Sequence, residues 1–313
     1  MTMDFELNGS TPDEKIKELT EKLEQGVSEI FTSGRYAEYL SAMSKFHSYS
    51  FGNVMLILMQ NPAASCVAGF HAWKKNFGRT VKAGEHGIKI LAPCPYRRFV
   101  EQDQIDANGQ PVLDATGKPV RERTLVQLMR FRIVTVFDIS QTEGKELPSI
   151  GVRELTGDIT NYTELADAIT SASPVPILYE VPPGEAKGCF NSVTGEIQIR
   201  PEMSQRQTVK TMLHEISHAM LHRRTGNDTP AKDRHTREVE AESVAYVVCQ
   251  HFGIDTSDYS FGYVAGWSKG KELDELKASL DTIRSCAANL IDSIEQRCPY
   301  LCTQRNQTVQ QER

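Results

Sequence analysis

The chain has 313 residues, 39% of them hydrophobic and 24% charged, with a formal net charge of −6. That length favours two domains over one compact core, and the composition fits a folded globular protein rather than a disordered one. The negative balance excludes a molecule that is basic overall, so any surface for nucleic acid must be local.

No apolar run reaches the roughly 20 residues a membrane span needs. The opening MTMDFELNGSTPDEK is acidic and lacks the apolar stretch of a secretory signal, so a cytoplasmic protein with no membrane partner is expected. Seven cysteines (Cys66, Cys94, Cys189, Cys249, Cys286, Cys298 and Cys302) are widely spaced with no CxxC pair. They read as reduced structural thiols.

In chain order, residues 12–33 predict a helix. Thr11 caps it, Pro12 suits its first turn, and Ile16, Leu19, Leu23, Val27 and Ile30 form its stripe. Tyr36–Phe46 and Asn53–Gln60 predict two more helices around the turn HSYSFG. From Ser65 to Cys94, short strand-like pieces, CVAGF and IKILAPC, flank a basic segment. This part is an α+β module. Residues 101–124 are polar and carry two turn signals, DANGQP and DATGKP, so an exposed hairpin or a loose insertion is expected. MRFRIVTVFDIS, 129–140, alternates as a strand and closes the module; ISQTEGKELPSIGVREL reads as a linker. The second part predicts a helix at 163–172, a strand ILYEV, a hairpin GCFNSVTGEIQIR, and helices at 204–224, 236–252 and 271–297. The expected division is 1–145, 146–300 and a polar tail 301–313.

Two stretches carry chemistry. Between His71 and Arg98 lie seven basic residues and one acid, Glu85, with Tyr49, Phe51, Phe70, Trp73 and Phe77 interleaved or just upstream. Basic residues that track phosphates and rings that stack bases make a single-strand binder, although a lysine-rich surface over an aromatic core has the same composition. Tyr49, Trp73, Lys74, Lys75, Arg79 and Lys82 are the candidates by chemistry.

The other stretch is HEISH. His214 and His218 stand four apart, so a helix puts both on one face, where two imidazoles can hold one ion. Glu215 stands beside them, placed to take a proton from water. The flanks Val209, Met212, Leu213, Ile216 and Ala219 make the helix largely buried, and buried histidines need partners. Nineteen residues separate His218 from Glu238, which opens a second helix with Glu242 one turn on. Glu238 is the expected third ligand, and Glu242 an outer brace or alternative ligand. Glu240 points elsewhere on the helical wheel. His222 is open to a role as extra ligand or proton shuttle and is read first as a surface residue. Tyr246, a group able to polarise a carbonyl, has nothing in the sequence to place its hydroxyl.

HExxH followed by a glutamate on a later helix resembles the gluzincin metallopeptidases, and EVEAESVAY is similar to the zincin domain of the ImmA/IrrE group and of ArdC-like antirestriction proteins. SFGN, the QNP turn and GFHAWKK–GR–VKAGEHGIKILAP resemble the N-terminal domain of ArdC-like proteins. The resemblance covers roughly residues 12–297. It implies an α+β single-stranded-DNA-binding domain (1–145) followed by a zincin-like, gluzincin-type metallopeptidase domain (146–300). It also implies zinc, or alternatively manganese or iron, on His214, His218 and Glu238, with Glu215 as general base. EIQIR, 196–200, falls where zincins place the edge strand that a peptide substrate pairs with. The function so implied is an antirestriction-type protein of a mobile genetic element, acting on DNA that enters by conjugation and carrying a protein or peptide substrate of its own. Two alternatives stay open: a non-proteolytic single-stranded-DNA binder with a structural metal, and an ImmA-like protease that cleaves a repressor.

Overall fold

The computed structural model describes residues 5–105, 110–113, 116–145, 162–223, 232–254, 256, 261 and 264–298. Most of the expected linker, and the tail 301–313, lie outside the described residues.

Three helices open the chain: α1 (Pro12–Thr32), α2 (Tyr36–Lys45) and α3 (Phe51–Gln60). The start of α1 is a reciprocal cap. Thr11 Oγ1 accepts from the Glu14 N–H at 3.2 Å, and Glu14 Oε2 accepts from the Thr11 N–H at 3.1 Å. The expected stripe is buried at Leu19, Leu23, Val27 and Ile30. Then follow β1 (Val67–Gly69), α4 (Phe70–Phe77), β2 (Arg79–Val81), β3 (Ile88–Asp103), β4 (Arg121–Asp138) and, after a 3-10 turn, β5 (Thr142–Gly144). Helix α4 falls inside the segment read only as basic. It is held between glycines, and Gly78, at φ 62°, ends it in a left-handed conformation that a side chain would strain.

β3 and β4 form one long antiparallel ribbon in continuous register from Ile88↔Val136 to Asp103↔Arg121. Strand β1 joins β4 only at its base, from Val67↔Asp138 to Gly69↔Val136. Residues 101–124 are therefore the far end of a ribbon, and β4 begins before the strand expected at 129.

The second half comprises α5 (Tyr162–Ala172), β6 (Ile177–Leu178), β7 (Gly188–Asn191), β8 (Glu196–Ile199), α6 (Gln205–Leu221), α7 (Arg234–His251), α8 (Val264–Ser268) and α9 (Leu273–Arg297). The sheet order is β6-β8-β7, with β8 parallel to β6 and antiparallel to β7. This corrects the expectation for EIQIR. β8 is the central strand, because β6 pairs with it in parallel on the side that β7 leaves open, and Ile197 and Ile199 face the core. The edge beside α6 is β7.

α6, α7 and α9 pack through side chains with no exposed surface, among them Val209, Leu213, Val244, Val248, Leu280 and Ile291. Burying each such side chain contributes about 1.5–3 kcal/mol. The same cluster includes the helices of the first half. Tyr36 Oη lies 2.9 Å from Ser243 Oγ, His251 Nδ1 lies 3.0 Å from the Ser44 carbonyl, and Lys277 Nζ donates to Glu24 at 2.7 Å. Among the described residues, no helix is long and apolar enough to cross a membrane.

Candidate metal centre and nucleic-acid interface

Ser204 starts α6 by accepting from the Gln207 N–H, and Asp233 starts α7 by accepting from the Thr236 N–H. The two helices lie against each other, so the histidines of α6 meet the glutamates of α7. His214 Nε2 and His218 Nε2 are 3.1 Å apart, and Glu238 Oε2 is 3.5 Å from each. In a tetrahedral site with nitrogen and oxygen ligands at 2.0–2.2 Å, neighbouring ligand atoms stand about 3.3 Å apart. The triangle fits one ion as it stands, and its two nitrogens and one carboxylate oxygen are a zinc, manganese or iron donor set. It is the only such grouping of three among the described residues.

Both histidines are braced from behind. Glu242 Oε2 lies 3.1 Å from His214 Nδ1, an ion-pair contact out of line for a hydrogen bond. Behind His218 the support is longer. His218 Nδ1 lies 3.2 Å from His222 Nδ1, and His222 Nε2 lies 3.1 Å from Glu240 Oε2. Glu240 has no exposed surface, and its other oxygen receives Lys232 Nζ at 2.6 Å and Ser279 Oγ at 2.9 Å. His222 is therefore not on the surface; its side chain is 4% exposed. Sequence reasoning missed this pair. The available signals were the third histidine at the same four-residue spacing and a carboxylate on an otherwise apolar helix face.

The electrostatics follow from burial and pairing. Burial disfavours a charged His214, but its contacts with Glu238 and Glu242 overturn this and hold its pKa up at about 9. Hydrogen bonds from His214 and His218 hold Glu238 well below the ordinary carboxylate range. Burial pushes His222 down, against the pull of Glu240, so its ring is neutral at pH 7. Burial also pushes Glu240 up, yet its bonds to His222 and Lys232 keep it ionised.

Glu215 is 8% exposed, and its Oε2 accepts from the Phe190 N–H of β7 at 2.8 Å. Burial raises its pKa, opposed by His214 and His218. β7 comes this close because residue 188 is glycine: a Cβ there would stand 2.5 Å from Thr211 Cγ2 and 2.9 Å from Glu215 Cγ. Tyr246 takes no part. It is buried two turns beyond Glu238, 5.2 Å from the Phe261 ring and with its hydroxyl 3.4 Å from Gln250 Nε2.

The six candidate DNA contacts separate. Lys74 and Lys75 are exposed on α4. Lys82 is exposed but donates to the Ser140 carbonyl at 2.8 Å. Arg79 is a clasp that donates to Thr142 Oγ1 at 2.7 Å and to the Thr142 carbonyl at 2.9 Å, which ties β2 to β5. Tyr49 is half-buried against the core with its hydroxyl on the Val67 carbonyl. Trp73 corrects the expectation outright. It has no exposed surface and its Nε1–H donates to the Phe137 carbonyl, so it cannot stack a base. The exposed ring on this helix is Phe70, at 52%, one turn before Lys74.

The model of the N-terminal domain of the anti-restriction factor ArdC matches residues 12–137, and that of the IrrE N-terminal-like domain, Peptidase_M78, matches residues 180–250. An uncharacterized protein of Bacillus anthracis is 26% identical over 331 residues, which is 95% of this chain and 54% of that protein. DNA primase TraC of Escherichia coli is 29% identical over 212 residues, 64% of this chain and 14% of the primase. The chain thus spans about half or less of the curated relatives it matches. Among solved structures, the Mn(II)-bound antirestriction ArdC protein from the R388 plasmid superposes with a TM-score of 0.52 at 19% identity, covering 88% of this chain and 97% of that one.

Proposed function

From a chain that joins an ArdC N-terminal domain to an IrrE-like domain in the ArdC fold, we propose an antirestriction-type protein of a mobile element. Its first part (1–145) binds single-stranded DNA, and its second part (146–300) is a zinc-dependent peptidase centre. The observation that carries the enzymatic half is the triangle of His214, His218 and Glu238 with Glu215 beside it beneath β7. When bound there, a divalent ion supplies Lewis acidity toward a water and a carbonyl.

This chain's residues do the rest. His214, His218 and Glu238 would hold the ion. With its Nε2 turned into that triangle, His218 would carry its proton on Nδ1 and donate it to His222 Nδ1. His222 then carries its own proton on Nε2 and donates it to Glu240, so the chain of bonds permits one tautomer of each ring. Glu215, fixed by the Phe190 N–H, takes a proton from water and returns it to the leaving nitrogen. Burial raises its pKa toward the range that suits both steps.

The test is Glu215→Gln beside wild type, scored for zinc content and for cleavage of a denatured casein substrate. The expected variant keeps close to one zinc and loses cleavage by at least a hundredfold. Equal cleavage by both proteins would reject Glu215 as the base. No cleavage by either, with zinc bound, would favour the metal as a structural element.

A further inference from the structure

The β3–β4 ribbon carries a surface that the metal centre does not use. No side chain from Pro93 to Asp103, or from Arg121 to Arg132, is buried. Strand β1 reaches only Val136, so beyond the base the ribbon is two strands wide. A lone pair of strands is marginal in water, and here both of its faces meet solvent.

Register sorts the side chains, because directly opposed residues share a face. Tyr96 stands opposite Leu128, Arg98 opposite Val126, Cys94 opposite Arg130 and Ala92 opposite Arg132. One face therefore gathers Tyr96, Arg98, Arg130 and Arg132. The Arg130 guanidinium lies over the Tyr96 ring at 5.4 Å, a cross-strand diagonal that only residues on one face can make. No acid interrupts this face before Glu122 at the far end. The opposite face is mixed: Phe99, Met129 and Phe131 are all about half exposed, and Arg97 stands among them opposite Gln127.

We propose that the Tyr96–Arg98–Arg130–Arg132 face is a contact site for single-stranded DNA, separate from Lys74 and Lys75 on α4. Charge complementarity selects the occupant. The stem from Ala92 to Val100 and from Thr124 to Arg132 holds four arginines, three of them on this face, and no acid, in a chain of net charge −6. Residues two apart on a strand are spaced by about 6.8 Å, which sets Arg130 and Arg132 to take successive phosphates. Tyr96, 37% exposed and already under a guanidinium, offers the flat cationic platform on which an unpaired base stacks. Bases inside a duplex are stacked on each other and cannot use it. The inference rests on the single-strand reading of the first part of the chain.

The experiment is fluorescence anisotropy of the full-length protein with labelled oligothymidylate across a salt series. A duplex of the same length is run in parallel. Each phosphate contact to a single strand contributes about 0.7 to the slope of log K against log salt. The variant Arg98→Ala/Arg130→Ala/Arg132→Ala is expected to lower that slope by about 2. Tyr96→Ala is expected to weaken binding roughly tenfold with the slope unchanged. Phe131→Ser, on the opposite face, is expected to change neither. Arg130→Glu alone serves should the triple variant fail to fold; it is expected to lose at least the slope of one contact. A wild type that binds no oligothymidylate would reject the single-strand reading itself, and this site with it. A wild type that binds, beside arginine variants of unchanged slope and affinity, would reject the ribbon site alone. So would loss of binding on Phe131→Ser without loss on the arginines, or equal affinity for the duplex.

Discussion

Glu240→Gln is isosteric, yet it should weaken metal binding at a ligand it never touches. Glu240 is an acceptor at both oxygens: Oε1 receives Lys232 and Ser279, and Oε2 receives His222. An amide can accept on one side only. If its oxygen stays with Lys232 and Ser279, its NH2 faces His222 Nε2 and reverses that ring's tautomer. His222 Nδ1–H then points at His218 Nδ1–H across 3.2 Å. To escape, His218 must move its proton to Nε2, the atom that faces the ion. If the amide turns the other way, its NH2 meets the Lys232 ammonium at a position with no exposed surface, a mismatch that costs roughly 1–3 kcal/mol. Either route weakens a supporting contact of the kind whose loss costs 10–100-fold in metal affinity, about 1.4–2.7 kcal/mol. Competition for zinc against a chromogenic chelator reads this directly, with circular dichroism confirming the fold. A zinc affinity unchanged within twofold would refute the relay and leave His218 oriented by packing alone.

Three further outcomes are expected. Gly188→Ala should lift β7 from α6 and destabilise the protein by about 1–3 kcal/mol, and adding Thr211→Ala, which removes the 2.5 Å collision with Cγ2, should restore part of the loss in a urea titration; no rescue would place the cost elsewhere. Trp73→Ala should cost about 3–5 kcal/mol by cavity formation, whereas Trp73→Phe should fold and bind oligothymidylate as wild type does; a tenfold loss on Trp73→Phe would return the ring to the interface. Burial first, and His251 second, hold the His47 pKa down at about 4 against an ordinary 6.5. In the unfolded chain it binds a proton sooner, so its contribution is intact above pH 6.5 and lost as pH falls toward 4, up to about 3 kcal/mol at 1.4 kcal/mol per pH unit. Asp292 and Glu295 are the carboxylates beside the pair of rings. His47→Asn should flatten the melting temperature across that window, and an unflattened profile would assign the acid sensitivity to other groups.

Periodicity located α1, α2, α5, α6, α7 and α9 to within a few residues, because long stripes and caps leave little choice. It passed over α4, whose eight residues alternate neither as helix nor as strand and whose ends are set by two glycines. The pairing of His214 with His218 was legible because its spacing is itself geometry: four residues on a helix are one turn. The support behind His218 was not, since Glu240 and His222 meet only after α7 has chosen which face to bury against α9. Trp73 was misplaced for a related reason. Composition counts rings near lysines but cannot say which ring the sheet covers, and here the Phe137 carbonyl captured the indole. The edge strand was misplaced because the hairpin reads alike from either side, and only the parallel arrival of β6 makes β8 central.

The unbroken core across α2, α7 and α9 has a thermodynamic consequence. With Tyr36 against Ser243 and Ser44 against His251, α7 belongs to both halves of the chain at once. Its first turns carry Glu238, and its last turn is held by the end of α2. Free energy delivered at one end is therefore shared: an ion at a hundred times its dissociation constant adds about 2.7 kcal/mol. That increment should raise the melting of α1–α3 as much as that of α6. Heating is then expected to give a single transition that moves with zinc, and a fragment ending at residue 145 would leave the contact face of α2 open to water.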